Sequence, residues 1–357
     1  MKIITIVGAR PQFVKAAVVS RAFSKMDSMH EFIVHTGQHY DDNMSDLFFR
    51  EMNVPHPFVN LQVNQMDPEQ MISKMVDGIE AQIVEIQPDV VLVYGDTYST
   101  LAGAMAAANK RVKLVHVEAG LRSFNMQMPE ERNRVLTDQY ADLLFCPTTE
   151  AMHNLKNEGF DEQRKQYFFS GDVMLDAMLF YRKKALAEVS AYHQLLQQNF
   201  ALCTFHRHEN IENDDRLRSL VKSLNGIHQI IPIVCPLHPH TAQRIRALGL
   251  KLNVHVIEPV GYFEMIRLLD KCSLVITDSG GLQKESFFSR KICICLRTET
   301  EWKELLEGGY VVLTGINQQE LESSVKAALG VNLTFHESYY GDGNAGEFIA
   351  EHISNSI

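Results

Sequence analysis

Val90-Val91-Leu92-Val93-Tyr94-Gly95-Asp96-Thr97 and Lys113-Leu114-Val115-His116-Val117-Glu118-Ala119-Gly120 decide how this chain is read. Each stretch is a short apolar run that ends on a carboxylate just before a small residue. Runs that are continuously apolar, rather than alternating, mark strands covered on both faces of a parallel sheet. The acids Asp96 and Glu118 then fall at the carboxyl edge of that sheet, where open α/β sheets hold their ligands. A third acid, Glu130, follows in Pro129-Glu130-Glu131, with Glu131 beside it. Asp96, Glu118 and Glu130 are therefore expected together at two adjoining strand ends. So many acids in one place, beside an anionic ligand, would be costly without a chemical use.

Working outward, apolar runs at 3–7, 31–35 and 143–146 read as further strands of the same sheet, each followed by a turn residue and a helical pattern. The clearest helix is 68–86, where Met71, Ile72, Met75, Val76, Ile79 and Ile83 recur at three- and four-residue spacing. Those methionines are core filler. The alternation restarts with strands at 202–205, 231–235, 254–257, 274–277, 292–296 and 311–313, and a polar helical stretch at 176–198 carries the chain from one set to the other. The expected class is α/β, with two Rossmann-like, doubly wound domains facing each other across a cleft, residues 1–170 and 171–345.

Composition narrows the function. A chain of 357 residues, 45% hydrophobic and 22% charged, can bury two cores and reads as an ordinary globular enzyme. A net charge of −10 argues against nonspecific binding to nucleic acid or to an anionic membrane, so an anionic ligand needs a local positive cluster. Cys146, Cys203, Cys235, Cys272, Cys293 and Cys295 lie mostly inside apolar runs and read as buried thiols of a reducing compartment. The start, Met1-Lys2-Ile3-Ile4-Thr5-Ile6-Val7, reads as a strand rather than a signal peptide, and no apolar stretch approaches a membrane span. A cytoplasmic location is expected.

Two segments suit an anionic ligand. Gly8-Ala9-Arg10-Pro11-Gln12-Phe13-Val14-Lys15 places Arg10 and Lys15 about a helix N-terminus, whose N–H groups and dipole favour anions. The dinucleotide fingerprint G-x-G-x-x-G is absent, which disfavours a nicotinamide cofactor. Asp278-Ser279-Gly280-Gly281-Leu282-Gln283-Lys284-Glu285 follows the run at 274–277. Ser279 can cap the next helix, Gly280 and Gly281 permit close approach to the backbone, and Glu285 falls about one and a half turns in, placed for a ribose diol. His206-Arg207 closes the run at 202–205 and could bring positive charge, or a proton, to a diphosphate. His206-x-His208 and His238-x-His240 lack the further ligands of a closed metal site, so no metal is expected.

Taken in order, Gly8-Ala9-Arg10-Pro11, Thr36-Gly37-Gln38-His39, Gly95-Asp96-Thr97, His116-Val117-Glu118-Ala119-Gly120-Leu121-Arg122, Pro129-Glu130-Glu131-Arg132-Asn133-Arg134, His206-Arg207 and Asp278-Ser279-Gly280-Gly281 resemble the non-hydrolysing UDP-N-acetylglucosamine 2-epimerase family. The resemblance runs almost the whole length. It implies a GT-B arrangement with UDP held mainly by the C-terminal half, a last helix at about 346–357 packed back on the first domain, and a homodimer. It further implies acid/base or sugar-handling roles for Asp96, Glu118 and Glu130, with His206 near the diphosphate and Arg10 and Lys15 reaching it from the first domain. Ser279, Gly280 and Gly281 would cradle phosphate, Glu285 would hold the ribose, and the backbone near Met265 would meet uracil. Arg134 would order the carboxylates. Ala9 and Gln12 depart from the threonine and glutamate usual around the Arg-Pro pair in UDP-N-acetylglucosamine members, and the stretches 123–129, 297–302 and 340–344 look more like the branch acting on UDP-2,3-diacetamido-2,3-dideoxyglucuronate. The implied substrate is that uronate or UDP-GlcNAc (converted to UDP-ManNAc), in surface polysaccharide synthesis.

The chemistry suits these groups. The C2 proton of a 2-acetamido sugar is not acidic, because no carbonyl at C1 or C3 stabilises a carbanion. The route implied by the resemblance is elimination of UDP across C1–C2 and re-addition, with the proton returned to the opposite face. Carboxylates near the ring stabilise its developing positive charge, and the cations stabilise the departing diphosphate. Inversion needs proton transfer at both faces, hence more than one acid/base group. No cofactor is required. A GT-B glycosyltransferase or a non-catalytic UDP-sugar-binding protein would share the fold and the cradle. The glycosyltransferase would also need an acceptor site and has less use for acids at two strand ends.

Overall fold

The computed structural model describes residues 1–38, 51–161, 165–331, 333–335 and 337–356. His39 of the Thr36–Gln38 motif and residue 357 of the terminal helix lie outside them. The chain divides into two compact units, Met1–Leu179 with Glu337–Ile357, and Phe180–His336.

Among the described residues the first unit holds a seven-stranded sheet. Its strands are β1 (Lys2–Val7), β2 (His30–His35), β3 (Val59–Asn60), β4 (Val90–Tyr94), β5 (Lys113–Val117), β6 (Leu143–Cys146) and β7 (Gln166–Phe169). The order is β3-β2-β1-β4-β5-β6-β7, and each neighbouring pair runs parallel. The second unit carries β8 (Ala201–Thr204), β9 (Ile233–Pro236), β10 (His255–Ile257), β11 (Leu274–Thr277), β12 (Cys293–Cys295) and β13 (Val311–Leu313) in the order β10-β9-β8-β11-β12-β13. Both are doubly wound α/β sheets. The strand order reverses at β1/β4 in one and at β8/β11 in the other, and such switch points open a crevice at the strands' carboxyl ends.

The central strands are continuous because both faces are covered: every residue of β4 is buried. The helix Tyr98–Lys110 lies so close to the sheet that a Cβ on Gly103 would stand 2.7 Å from Val93 Cγ1, which explains its run of small residues. Pro68–Ile86 is helical as its periodicity predicts, buries Met71, Met75, Val76, Ile79 and Ile83, and ends on Gln87 at φ 52. β3 and β7 were not predicted. β3 has only two residues, and β7 is a short edge strand, Gln166-Tyr167-Phe168-Phe169, whose four residues are all at least partly exposed.

The division between units falls inside the helix Val173–Ala187, between Leu179 and Phe180, rather than at 170/171. That helix stops well short of 198. The Ser190 hydroxyl accepts a hydrogen bond from the Tyr192 N–H at 2.9 Å and donates to Glu264, replacing helical pairing with a local turn. In the first unit the terminal helix Ala345–Ser356 lies against the helix Arg10–Phe23. Gly346 sits over Val18, Lys25 pairs with Glu347 at 2.8 Å, and Asp176 Oδ2 accepts from the Gly346 N–H at 2.9 Å.

Candidate active site

In the first unit β4 and β5 pair from Val90↔Lys113 to Tyr94↔Val117, so the residues after them share one edge. Gly95 (φ 65) turns the chain to Asp96, after which Thr97 caps the helix Tyr98–Lys110 by accepting from the Thr100 N–H at 3.2 Å. After β5 comes Glu118 at φ 70, a left-handed conformation that costs a side chain with a Cβ about 1–2 kcal/mol. The N–H groups of Glu118 and Ala119 both reach the Phe145 carbonyl, at 3.0 Å each, and hold that turn. A non-glycine residue forced into this conformation at a strand end points to function.

Each of these acids faces a cation. Lys15, from the helix Arg10–Phe23, brings Nζ to 2.5 Å from Glu118 Oε1, with both side chains 8% exposed. A Cβ on Gly95 would stand 2.9 Å from that Nζ and 3.2 Å from Glu118 Oε1, so glycine is needed there for space as well as for its φ. Asp96 pairs with Arg134 Nη2, while Asn133 Nδ2 donates to the Asp96 carbonyl at 2.8 Å. Arg134 Nη1 also pairs with Glu131 Oε2 at 2.9 Å. Glu131 is 1% exposed and accepts from the Ser123 N–H, the Ser123 hydroxyl and the Phe124 N–H, at 2.9 Å each. It is a bracket for the 123–124 turn.

Glu130 is not at a strand end. It lies in the first turn of the helix Pro129–Tyr140, half-buried, and among the described residues its carboxylate has no hydrogen bond or ion pair. Burial, and then the nearby charge of Glu130, push the Tyr98 hydroxyl above its ordinary range.

The turn after β1 is built differently from a bare anion site. Gln12 is 1% exposed; its Oε1 accepts from the Gly8 and Ala9 N–H groups at 2.8 and 3.0 Å. Its Nε2 donates to the Tyr94 carbonyl and to Thr100 Oγ1, at 3.0 Å each. Gln12 thus ties the β1 turn to the end of β4. Arg10 opens the helix, half-buried, whereas Lys15 turns to Glu118.

In the second unit β8 and β11 pair up to Thr204↔Thr277, and their next residues carry the second constellation. Asp278 is fully buried and accepts from the His206 N–H (3.1 Å), the Arg207 N–H (3.0 Å) and Asn210 Nδ2 (3.0 Å). It fixes the loop while leaving the His206 ring 56% exposed, with Nδ1 at 3.6 Å from Asp278 Oδ1. Ser279 caps the helix Gly280–Phe288, accepting from the Leu282 N–H at 3.4 Å. Gly280 and Gly281 differ. A Cβ on Gly280 would lie 2.3 Å from Glu301 Oε1, whereas the nearest atom to one on Gly281 is Ser279 Oγ at 4.0 Å. Only Gly281 leaves room for a ligand. Glu301 pairs with Arg297 at 3.0 Å, and Trp302 Nε1 donates to the Gly280 carbonyl at 3.1 Å. Glu285 is 8% exposed on the same helix. Met265 is half-buried in the helix Tyr262–Lys271, where its N–H is bonded to the Gly261 carbonyl at 3.1 Å.

Sequence reasoning missed Gln12, Asn133, Asp278 and the Arg297–Glu301 pair as members of these constellations. A buried polar side chain is the shared signal, and burial is not visible in one dimension. Among the described residues no group of three or more His, Cys, Asp or Glu side chains could hold a metal ion, and no helix is long and apolar enough to cross a membrane.

The sequence profile of the UDP-N-acetylglucosamine 2-epimerase family matches residues 21–354. The chain is 49% identical to the UDP-2,3-diacetamido-2,3-dideoxy-D-glucuronate 2-epimerase of Pseudomonas aeruginosa over 355 residues, 99% of either protein. It is 38% identical to the UDP-N-acetylglucosamine 2-epimerase of Methanocaldococcus jannaschii, over 98% of either protein. A crystal structure of M. jannaschii UDP-GlcNAc 2-epimerase in complex with UDP-GlcNAc and UDP is similar over 100% of both chains, at a TM-score of 0.94 and 37% identity. The Neisseria meningitidis UDP-GlcNAc 2-epimerase bound to UDP-GlcNAc is similar over 100% of both chains, at a TM-score of 0.88 and 27% identity.

Proposed function

We infer the reaction from one premise, that the chain belongs to the UDP-N-acetylglucosamine 2-epimerase family. It is a non-hydrolysing UDP-sugar 2-epimerase, an isomerase. We propose that its substrate is UDP-2,3-diacetamido-2,3-dideoxy-D-glucuronate, on the strength of the 49% identity to the Pseudomonas enzyme against 38% to the M. jannaschii one. A homodimer, a cytoplasmic location and a role in surface polysaccharide synthesis complete the reading. Six buried free cysteines suit a reducing compartment, and sedimentation of the purified protein tests the dimer.

The observation that carries the mechanism is the pair of carboxylates at the β4/β5 edge, Glu118 on Lys15 and Asp96 on Arg134, together with Glu130 on the helix that bears Arg134, which has no ion pair among the described residues. A carboxylate removes the C2 proton, the C2–H electron pair becomes the C1=C2 double bond, and the C1–O pair leaves with UDP. Re-addition reverses these steps with the proton delivered to the other face of C2. Asp96, Glu118 and Glu130 share the proton transfers and stabilise positive charge on the ring. Lys15 and Arg134 orient two of them. The diphosphate is taken by Ser279 and Gly281 at a helix N-terminus, with His206 supplying charge. Glu285 holds the ribose, and the first turn of the helix that carries Met265 meets uracil. Incubating the enzyme in D₂O with this uronate and, in parallel, with UDP-GlcNAc tests the reading. Epimer carrying deuterium at C2 supports it; a sugar transferred to an acceptor, or no exchange with either compound, overturns it.

A further inference from the structure

Beneath the strand-end acids lies a buried chain of polar groups that the reaction as described does not use. His116 and Asp138 are both 0% exposed. The imidazole Nδ1 is 2.7 Å from Asp138 Oδ1, and its Nε2 is 2.8 Å from the Gly95 carbonyl oxygen. Asp138 Oδ2 accepts from the Gly120 N–H at 3.1 Å and from Arg122 Nη1 at 2.7 Å. Arg122 is anchored in turn by Glu158, at 2.6 and 2.7 Å. Burial alone would push the Asp138 carboxyl up, but His116 and Arg122 outweigh it and hold it below the ordinary carboxylate range.

The placement of these bonds is informative. Gly95 directly precedes Asp96, and Gly120 stands two residues beyond Glu118. Asp138 itself belongs to the helix Pro129–Tyr140, which carries Glu130 and Arg134. One carboxylate therefore reaches the turn of the first acid through His116, reaches the turn of the second directly, and rides on the helix that bears the third. Both turns have left-handed backbones, which Gly95 adopts freely and Glu118 only when held from outside.

We infer that Asp138 is a positioning residue for the proton-transfer acids, acting through His116 to fix the Gly95 carbonyl and, with it, the Asp96 carboxylate. The inference rests on the epimerase reading above. An acid displaced by about 1 Å from C2 loses on the order of 100-fold in rate, while binding at the UDP cradle of the second unit is untouched.

The test uses Asp138→Asn, His116→Gln and the double variant in the full chain, measured below their melting temperatures. Deuterium exchange at C2 supplies kcat and KM, and calorimetric titration supplies Kd for UDP. Each single variant is expected to lower kcat by about 100-fold, with KM and the UDP Kd within about threefold of the parent. The double variant should be no slower than the slower single one, because the two residues act as a unit. A merely structural network would lower Tm and leave kcat near the parental value, or give losses that multiply in the double variant; either result overturns the inference. Should Asp138→Asn fail to fold, His116→Gln carries the same kcat-against-Kd test. A parent enzyme that exchanges no deuterium overturns the epimerase reading and this inference together. A parent that exchanges, beside an Asp138→Asn variant of equal kcat, overturns this inference alone.

Discussion

Lys15 Nζ and Glu118 Oε1 lie 2.5 Å apart, both side chains almost fully buried, with Gly95 between the strand end and the pair. The pair holds a carboxylate in a left-handed turn that its own backbone disfavours, so its integrity depends on what Gly95 leaves empty. Replacing Gly95 by Ala would set a Cβ 2.9 Å from the Lys15 ammonium at φ 65. Gly95→Ala is expected to lower kcat by about 10- to 100-fold and to cost about 1–2 kcal/mol of stability, with UDP affinity retained. Steady-state rates beside a UDP titration check it. An unchanged rate would show that the pair has no part in turnover.

Glu130 and Glu131 are neighbours to which the proposed mechanism gives different tasks. Glu130→Gln should change the melting temperature little and lower kcat by about 10²- to 10⁴-fold, the usual worth of a general acid or base. Glu131→Gln leaves Arg134 and the 123–124 turn short of an acceptor, and should cost about 3 kcal/mol of stability. Thermal melts run beside rate measurements separate the two. Equal effects of both substitutions would contradict the assignment.

Gly280 and Gly281, at the proposed phosphate cradle, also separate. Gly281→Ala fills open space in a helix, so it should fold well, up to about 1 kcal/mol more stable, yet raise the UDP Kd by about tenfold. Gly280→Ala drives a Cβ to 2.3 Å from Glu301 Oε1 and should lower the melting temperature. If Gly281→Ala binds UDP as the parent does, the diphosphate does not sit there.

Asp176 links pH to the terminal helix. Burial, and to a lesser degree Asp172 and Glu347, outweigh the Gly346 and Ala345 N–H groups and push its carboxyl from 3.8 to about 6. A carboxyl raised in the folded state binds its proton more tightly there than in the unfolded chain. Its contribution is greatest below pH 3.8 and is lost as pH rises through about 6. Relative to Asp176→Asn, the parent should lose about 3 kcal/mol between those limits and stay level above them. Denaturant melts of both proteins across that range measure the difference, and a difference that is flat with pH would refute the assignment.

Much of this architecture is legible in the amino-acid sequence. β4 is wholly buried and β5 almost wholly so, so their sequences are mainly apolar, and the acids that follow them can be placed at a sheet edge by pattern alone. The same pattern cannot show partners. Lys15 lies 103 residues from Glu118, and Arg134 lies 38 from Asp96, so only folding reveals that each acid has its own cation. His116 looked like one more strand residue, and the bonds from its ring to Asp138 and Gly95 explain why a polar side chain interrupts that run. Gly280 read as a ligand cradle, whereas the Glu301 carboxylate already occupies the space beside it. Ser190 ended a helix that its neighbours' composition would have prolonged, because its hydroxyl captures the next turn.

The most direct test follows the C2 hydrogen. The enzyme is incubated in D₂O with UDP-2,3-diacetamido-2,3-dideoxy-D-glucuronate, without any acceptor, and both sugars are recovered at equilibrium. Proton removal and return by the strand-end carboxylates requires one solvent deuterium at C2 of the epimer and of the recovered substrate. Epimer that keeps its original C2 hydrogen would contradict the account.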